Sequence, residues 1–140
     1  MANEIKIAIR QTAASTSEAA IRQHKIAIDR PAAKGGDDQG PMGGELFLAA
    51  IGGCFMSNLL AAIKGREAEV SDAHTEVIGV LDGSPARFTA VELNVTAKHS
   101  DREQFEKLVE IADRGCIMMN TLRGKLDIKV RIAALVKAQG

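Results

Sequence analysis

Cys54 and Cys116 are the only cysteines in this chain of 140 residues, and no other side chains in it are better suited to covalent chemistry. A thiolate attacks peroxides and other electrophiles, and a second thiol within reach resolves the product as a disulfide. Cys54 lies inside a long uncharged segment, Leu46 to Ile63, and Cys116 follows an amphipathic charged one, Asp101 to Arg114. The pair is reactive if the fold joins them, and otherwise each is a small buried hydrophobe. A cysteine in an apolar helix stays inert unless a neighbour favours its charged form. Arg10, Arg22, Arg30 and Lys34 precede the Cys54 segment and are the cations available to it.

Other chemistries find less support. A zinc site wants closely spaced ligand pairs, whereas His24, His74 and His99 stand singly, so no metal is expected. The glycine-rich stretch Arg30 to Gly44 lacks the P-loop pattern and has no parallel βαβ context, which argues against a bound nucleotide. Glu45 opens the uncharged segment and reads equally as a helix N-terminal acid and as a catalytic one. Ser57 lies mid-helix without a nucleophile elbow.

The elements that must position the thiols follow from periodicity. Glu4 to Arg10 alternates Ile5, Ile7 and Ile9 with other residues, as a half-buried strand does, and His24 to Asp29 repeats the pattern. With Ala13 to Ala20 read as a turn or short loop, these runs form a hairpin. Arg30 to Gly44 is a loop. Leu46 to Ile63 is a helix apolar on every side, with a sheet over one face and a partner subunit over the other. Gly52 and Gly53 each cost it about 1 kcal/mol of helix propensity, which implies a close backbone approach. Its polar and small residues argue against a membrane span. Val70 to Asp82 and Phe88 to Lys98 form a second hairpin. Ser100 and Glu103 set a capping box for a second helix that buries Phe105, Leu108, Val109, Ala112 and Cys116. Leu126 to Ala134 is a last strand. The order ββ-α-ββ-α-β gives an α+β class with antiparallel sheet.

Composition fits one soluble domain over residues 1–140, with 46% hydrophobic and 26% charged residues. Aromatic residues are only 3%, so the core is aliphatic. A net charge of +0 excludes a basic nucleic-acid surface and a polybasic membrane anchor. Lys6 and Arg10 interrupt any leader-like apolar run, so the expected compartment is the cytoplasm. Thiols are kept reduced there, which favours catalytic or inert cysteines over a structural bridge.

Two segments carry a resemblance. Gly40 to Phe55, GPMGGELFLAAIGGCF, resembles the central-helix motif of the OsmC/Ohr family of thiol-dependent peroxidases. Arg114 to Ile128, RGCIMMNTLRGKLDI, resembles that family's second cysteine motif. The element order matches along nearly the whole chain. The resemblance implies an OsmC-like fold whose subunit interlaces with a second copy, with two long helices in the core of the homodimer and active sites at the interface. It implies Cys54 as the peroxidatic thiol and Cys116 as the resolving one. Organic hydroperoxides would be the substrates, an external lipoyl-type dithiol the reductant, and no bound cofactor would take part. It also implies an activating arginine from the N-terminal hairpin region, with Arg22 the first candidate and Arg10 the second, and Glu45 as an orienting acid. The family's peroxidases carry Glu where this chain has Gly44 and Pro where it has Ile117. Those departures motivate an alternative on the same scaffold: a non-catalytic small-molecule binding module or a redox sensor.

Overall fold

The computed structural model describes residues 2–133. It resolves into two compact units, one from Met1 to Phe47 and one from Leu48 onward.

The first unit holds an antiparallel sheet of β1 (Ala8–Gln11), β2 (Ser17–Ile21) and β3 (His24–Ile28), in the order β1-β2-β3. The Ala13 to Ala20 stretch is therefore not only a turn: its second half is the central strand, and β1 and β3 each pair with it instead of with each other. Ser, Glu and Ala have poor strand propensity, and pairing on both sides overrides it. The expected half-burial of Ile5, Ile7 and Ile9 is not found. They are 89%, 53% and 58% exposed among the described residues.

Asp29, at the end of β3, organises the loop that follows. It is 3% exposed. Its carboxylate accepts from the Thr16 hydroxyl at 2.9 Å and from the amides of Arg30, Asp37 and Gln39 at 2.7, 3.3 and 3.2 Å. Desolvation raises its pKa, but the Arg30 amide, the Thr16 and Ser15 hydroxyls and the Gln39 amide together outweigh this and bring it from 3.8 to about 2. The loop contains one 3-10 turn, Ala32–Lys34.

α1 (Gly43–Gly65) continues into the second unit, whose sheet is β4 (Val70–Asp82), β5 (Arg87–His99) and β6 (Asp127–Ile132). β4 and β5 form the expected antiparallel hairpin. β6 lies parallel to β5, since the helical crossover between them returns the chain to the same end of the sheet. Ala134, placed in this strand from the sequence, lies outside the described residues. The class is α+β as expected, with one more strand and one more short helix.

The core lies between one face of this sheet and the helices. Val91, Leu93, Val95 and Ala97 of β5 are buried, together with Ile51, Phe55 and Leu59 of α1. α2 (Arg102–Gly115) adds Phe105, Leu108, Val109 and Ala112 on one stripe. Asp101 caps it, accepting from the Gln104 amide at 3.1 Å, one residue later than the Ser100 box expected from sequence. A Cβ at Gly52 would stand 2.6 Å from Val77 Cγ2. The close approach there is thus a β-branched side chain, not a backbone, and at Gly53 nothing lies within 4 Å among the described residues. The outward face of α1 is uncharged and open, with Gly53, Ser57, Leu60 and Ala61 exposed.

Candidate active site

The site is built where α1 meets the end of α2. α2 stops at Gly115, and Cys116 takes an extended backbone, with φ −77° and ψ 121°. It then serves as the N-cap of a further short helix, α3 (Ile117–Leu122). That break turns the first amides of α3 away from their own helix. A helix start leaves such N–H groups without an internal partner, and they are free to meet another acceptor. On the facing side, the wedge of Ile51, Phe55 and Leu59 into the core fixes the rotation of α1, leaving Cys54 half-buried beside them.

The two thiols meet. Both are free, Cys116 fully buried and Cys54 partly exposed, and the Cys116 thiol hydrogen-bonds the Cys54 sulfur. Their acidities diverge. Desolvation works against the Cys54 thiolate, but hydrogen bonds from the Met118 amide, the Cys116 thiol and the Ile117 amide overcome it, and its pKa falls below the ordinary 9.0. Burial pushes Cys116 up, and together with the hydrogen bond to Cys54 and the negative charge there it outweighs the Met119 and Met118 amides that pull the pKa down. Cys54 is therefore the more acidic of the two thiols.

No guanidinium or ammonium is among the groups that shift Cys54. Arg22 sits in the turn between β2 and β3 with a positive φ of 52°, exposed, and makes no ion pair with any described residue. Arg10 pairs with Glu18 across β1 and β2 at 3.4 Å. Glu45 stands in the first turn of α1, where its carboxylate accepts from the Met42 amide at 2.9 Å. So Cys54 and Cys116 are brought together within the second unit, while Arg22, Arg10 and Glu45 belong to the first. Among the described residues no three His, Cys, Asp or Glu side chains cluster as a metal centre needs.

Two contributors escaped the sequence reading. α3 was missed because IMMNTL is too short for a periodicity to register, so the amides of Ile117 and Met118 were not foreseen as donors. Asn58 is one of the polar residues that interrupt the uncharged segment. Its Nδ2 donates to the Cys54 carbonyl at 3.1 Å and lies 4.0 Å from Sγ. An Asn one turn after a Cys within an apolar helix was the available signal.

Comparison with known proteins identifies the family. A family model described as OsmC-like protein matches residues 35–131. No curated protein matches the sequence. Among solved structures, an OsmC-like protein from Mycoplasma pneumoniae superposes with a TM-score of 0.83 at 17% identity, covering 97% of this chain and all of that one (100%). The organic hydroperoxide resistance protein OhrB of Bacillus subtilis is 28% identical, with a TM-score of 0.67 and coverage of 91% and 96%. An organic hydroperoxide resistance protein from Elizabethkingia anophelis gives a TM-score of 0.71 at 20% identity, with coverage of 95% and 100%.

Proposed function

This chain belongs to the OsmC-like protein family, and on that premise we propose that it is a cytoplasmic thiol peroxidase of organic hydroperoxides, acting as a homodimer in oxidative-stress defence. One observation carries the proposal. The two cysteines are in hydrogen-bonding contact with oppositely shifted acidities, a low one on the accessible thiol and a high one on the buried thiol.

Each step has a group for it. The Cys54 thiolate attacks the distal oxygen of the hydroperoxide, and the O–O bond breaks. Cys54 becomes a sulfenic acid, and the departing alkoxide takes a proton and leaves as alcohol. Cys116, already in contact, attacks that sulfur. The S–S bond forms, and the sulfenic hydroxyl leaves as water with the thiol's proton. An external dithiol of lipoyl type then reduces the disulfide and is itself oxidised to a disulfide. The net change is hydroperoxide plus dithiol to alcohol, water and oxidised dithiol. Nothing in this cycle needs a bound cofactor. Ile117, whose amide serves Cys54 and whose side chain is 71% exposed, would offer the alkyl group of an organic hydroperoxide an apolar surface that hydrogen peroxide has no use for. Arg22 and Glu45 remain the proposed activator and orienting acid.

The test is consumption of cumene hydroperoxide with dihydrolipoamide as reductant. Turnover is expected in the wild type and lost in Cys54→Ser, and turnover indifferent to that substitution would refute the proposal. A redox-sensor reading draws on the amides, because a thiolate held by backbone groups and a thiol alone is less activated than one beside a cation. Disulfide formation by one equivalent of peroxide without sustained dithiol turnover would favour it.

A further inference from the structure

We propose that Asn58 is a positioning residue for the Cys54 thiolate. Asn58 is half-buried on α1, one helical turn after Cys54. Its Nδ2 donates to the Cys54 carbonyl at 3.1 Å and stands 4.0 Å from Cys54 Sγ, the outer edge of a hydrogen bond to sulfur. A carboxamide carries two N–H donors, so the carbonyl and the sulfur draw on different ones. Its oxygen faces the other cysteine segment: a Cβ placed on Gly115 would lie 3.9 Å from Asn58 Oδ1. One amide therefore reaches from the Cys54 sulfur to the residue that precedes Cys116.

This placement is not what helix formation asks for. Asn is a poor helix former because its side chain competes for nearby backbone groups, as it does here with the carbonyl one turn back. A neutral thiol is a weak acceptor, which fits a long contact in the protonated state. A thiolate accepts charge-assisted hydrogen bonds, which are shorter and about twice as strong. On ionisation of Cys54 the Asn58 N–H would be drawn inward from 4.0 Å, adding a donor from α1 itself to those at Cys116, Ile117 and Met118. The inference deepens the peroxidase reading and rests on it for its catalytic consequence, but its direct effect is on the acidity of Cys54.

The experiment measures the pH dependence of iodoacetamide alkylation of Cys54 in the full chain, by peptide mass spectrometry, beside peroxide turnover. In Asn58→Leu the alkylation midpoint is expected to rise by about half to one pH unit, so labelling below the midpoint slows about three- to tenfold. Asn58→Asp is similar in shape but places a negative oxygen near the sulfur, so its midpoint is expected to rise further. Asn58→Ser, whose hydroxyl still donates, is expected to fall between wild type and Asn58→Leu. An Asn58→Leu protein with native circular dichroism and melting, titrating at the wild-type midpoint, overturns the inference. If Asn58→Leu does not fold, equal midpoints in Asn58→Ser and Asn58→Asp overturn it. The two proposals fail separately. A midpoint that moves with residue 58 in a protein without turnover removes the peroxidase and leaves Asn58 its role; turnover with an unmoved midpoint does the reverse.

Discussion

The Cys116 thiol donates to the Cys54 sulfur, and this contact joins burial of Cys116 and the Met118 and Ile117 amides on Cys54 in setting the two acidities apart. Charge on Cys54 discourages charge on Cys116, so the buried thiol stays protonated while Cys54 is ionised. Limited iodoacetamide at neutral pH is expected to modify Cys54 alone. The labelling midpoint should lie below the ordinary 9.0 of a cysteine. Peptide mass spectrometry that finds Cys116 labelled first would contradict the assignment.

The Ile117 amide is one of the donors that hold the Cys54 charge, and it can be removed without removing a side-chain contact of the core. Ile117 opens α3, a position where proline is well tolerated. The residue before it, Cys116, already has the extended backbone that proline imposes on its predecessor. Ile117→Pro is therefore expected to fold normally while raising the Cys54 pKa by about one unit, the scale of a lost hydrogen bond to a charged group. The same titration of alkylation rate checks this, and an unchanged midpoint would mean that the Met118 amide and the Cys116 thiol suffice.

Asp29 gives the first unit an acid limit. Its folded pKa is about 2 against an ordinary 3.8. A carboxyl depressed by folding contributes stability that is fully present above its unfolded pKa and is lost as pH falls through the folded one. The loss should therefore run from just below pH 4 down to about pH 2. Asp29→Asn should destabilise the protein at neutral pH and flatten this limb. Equilibrium unfolding across the range is the measurement, and a mutant as steep in acid as the wild type would show that other carboxyls set the limit.

The long-range architecture was legible where one face of an element is buried and the other is wet. β5 alternates Val91, Leu93, Val95 and Ala97 inward, and α2 repeats Phe105, Leu108, Val109 and Ala112 on one stripe, so both were read close to their ends. β2 was missed because Ser17 to Ile21 carries small residues whose pairing is decided by neighbours on both sides. The direction of β6 was not written in its own alternation, since a strand buries the same face in either direction. The cysteine positions were legible, but their contact was not, because it depends on the break at Cys116 between two helices. The donors to Cys54 were least visible of all, since two are backbone amides that any residue type supplies.

Adjacent glycines on α1 should respond in opposite ways. A Cβ on Gly52 would stand 2.6 Å from Val77 Cγ2, a stiff β-branched group in the sheet that cannot swing aside. Gly52→Ala is expected to destabilise by about 1–3 kcal/mol through overpacking, despite alanine's better helix propensity. Gly53→Ala meets nothing within 4 Å among the described residues. By propensity it should stabilise the helix by about 0.8–1 kcal/mol. Denaturant unfolding of the two variants side by side tests the packing of α1 on β4. Equal effects would mean that the helix does not lie on Val77 as described.

The remaining question is what covers the far face of α1. Leu60 is 51% exposed, and Gly53, Ser57 and Ala61 join it on a helix whose length from Leu46 to Ile63 carries no charge. Ile78, Val80 and Leu81 of β4 are exposed as well. Ile78 and Val80 alternate with Val77 and Gly79, which face α1, so they lie on the other side of the sheet and form a separate apolar surface. Exposed apolar surface along a whole helix face is uncommon on a monomer and marks an interface. A second copy is the simplest cover, because a two-fold axis lets one patch face itself. The protein is expected to sediment as a dimer at micromolar concentration. Leu60→Glu would set two like charges near each other across the axis, and it should shift the equilibrium toward monomer and lower the melting temperature in a concentration-dependent way. A wild-type protein that stays folded and monomeric at that concentration would mean that the uncharged face of α1 tolerates water unaided.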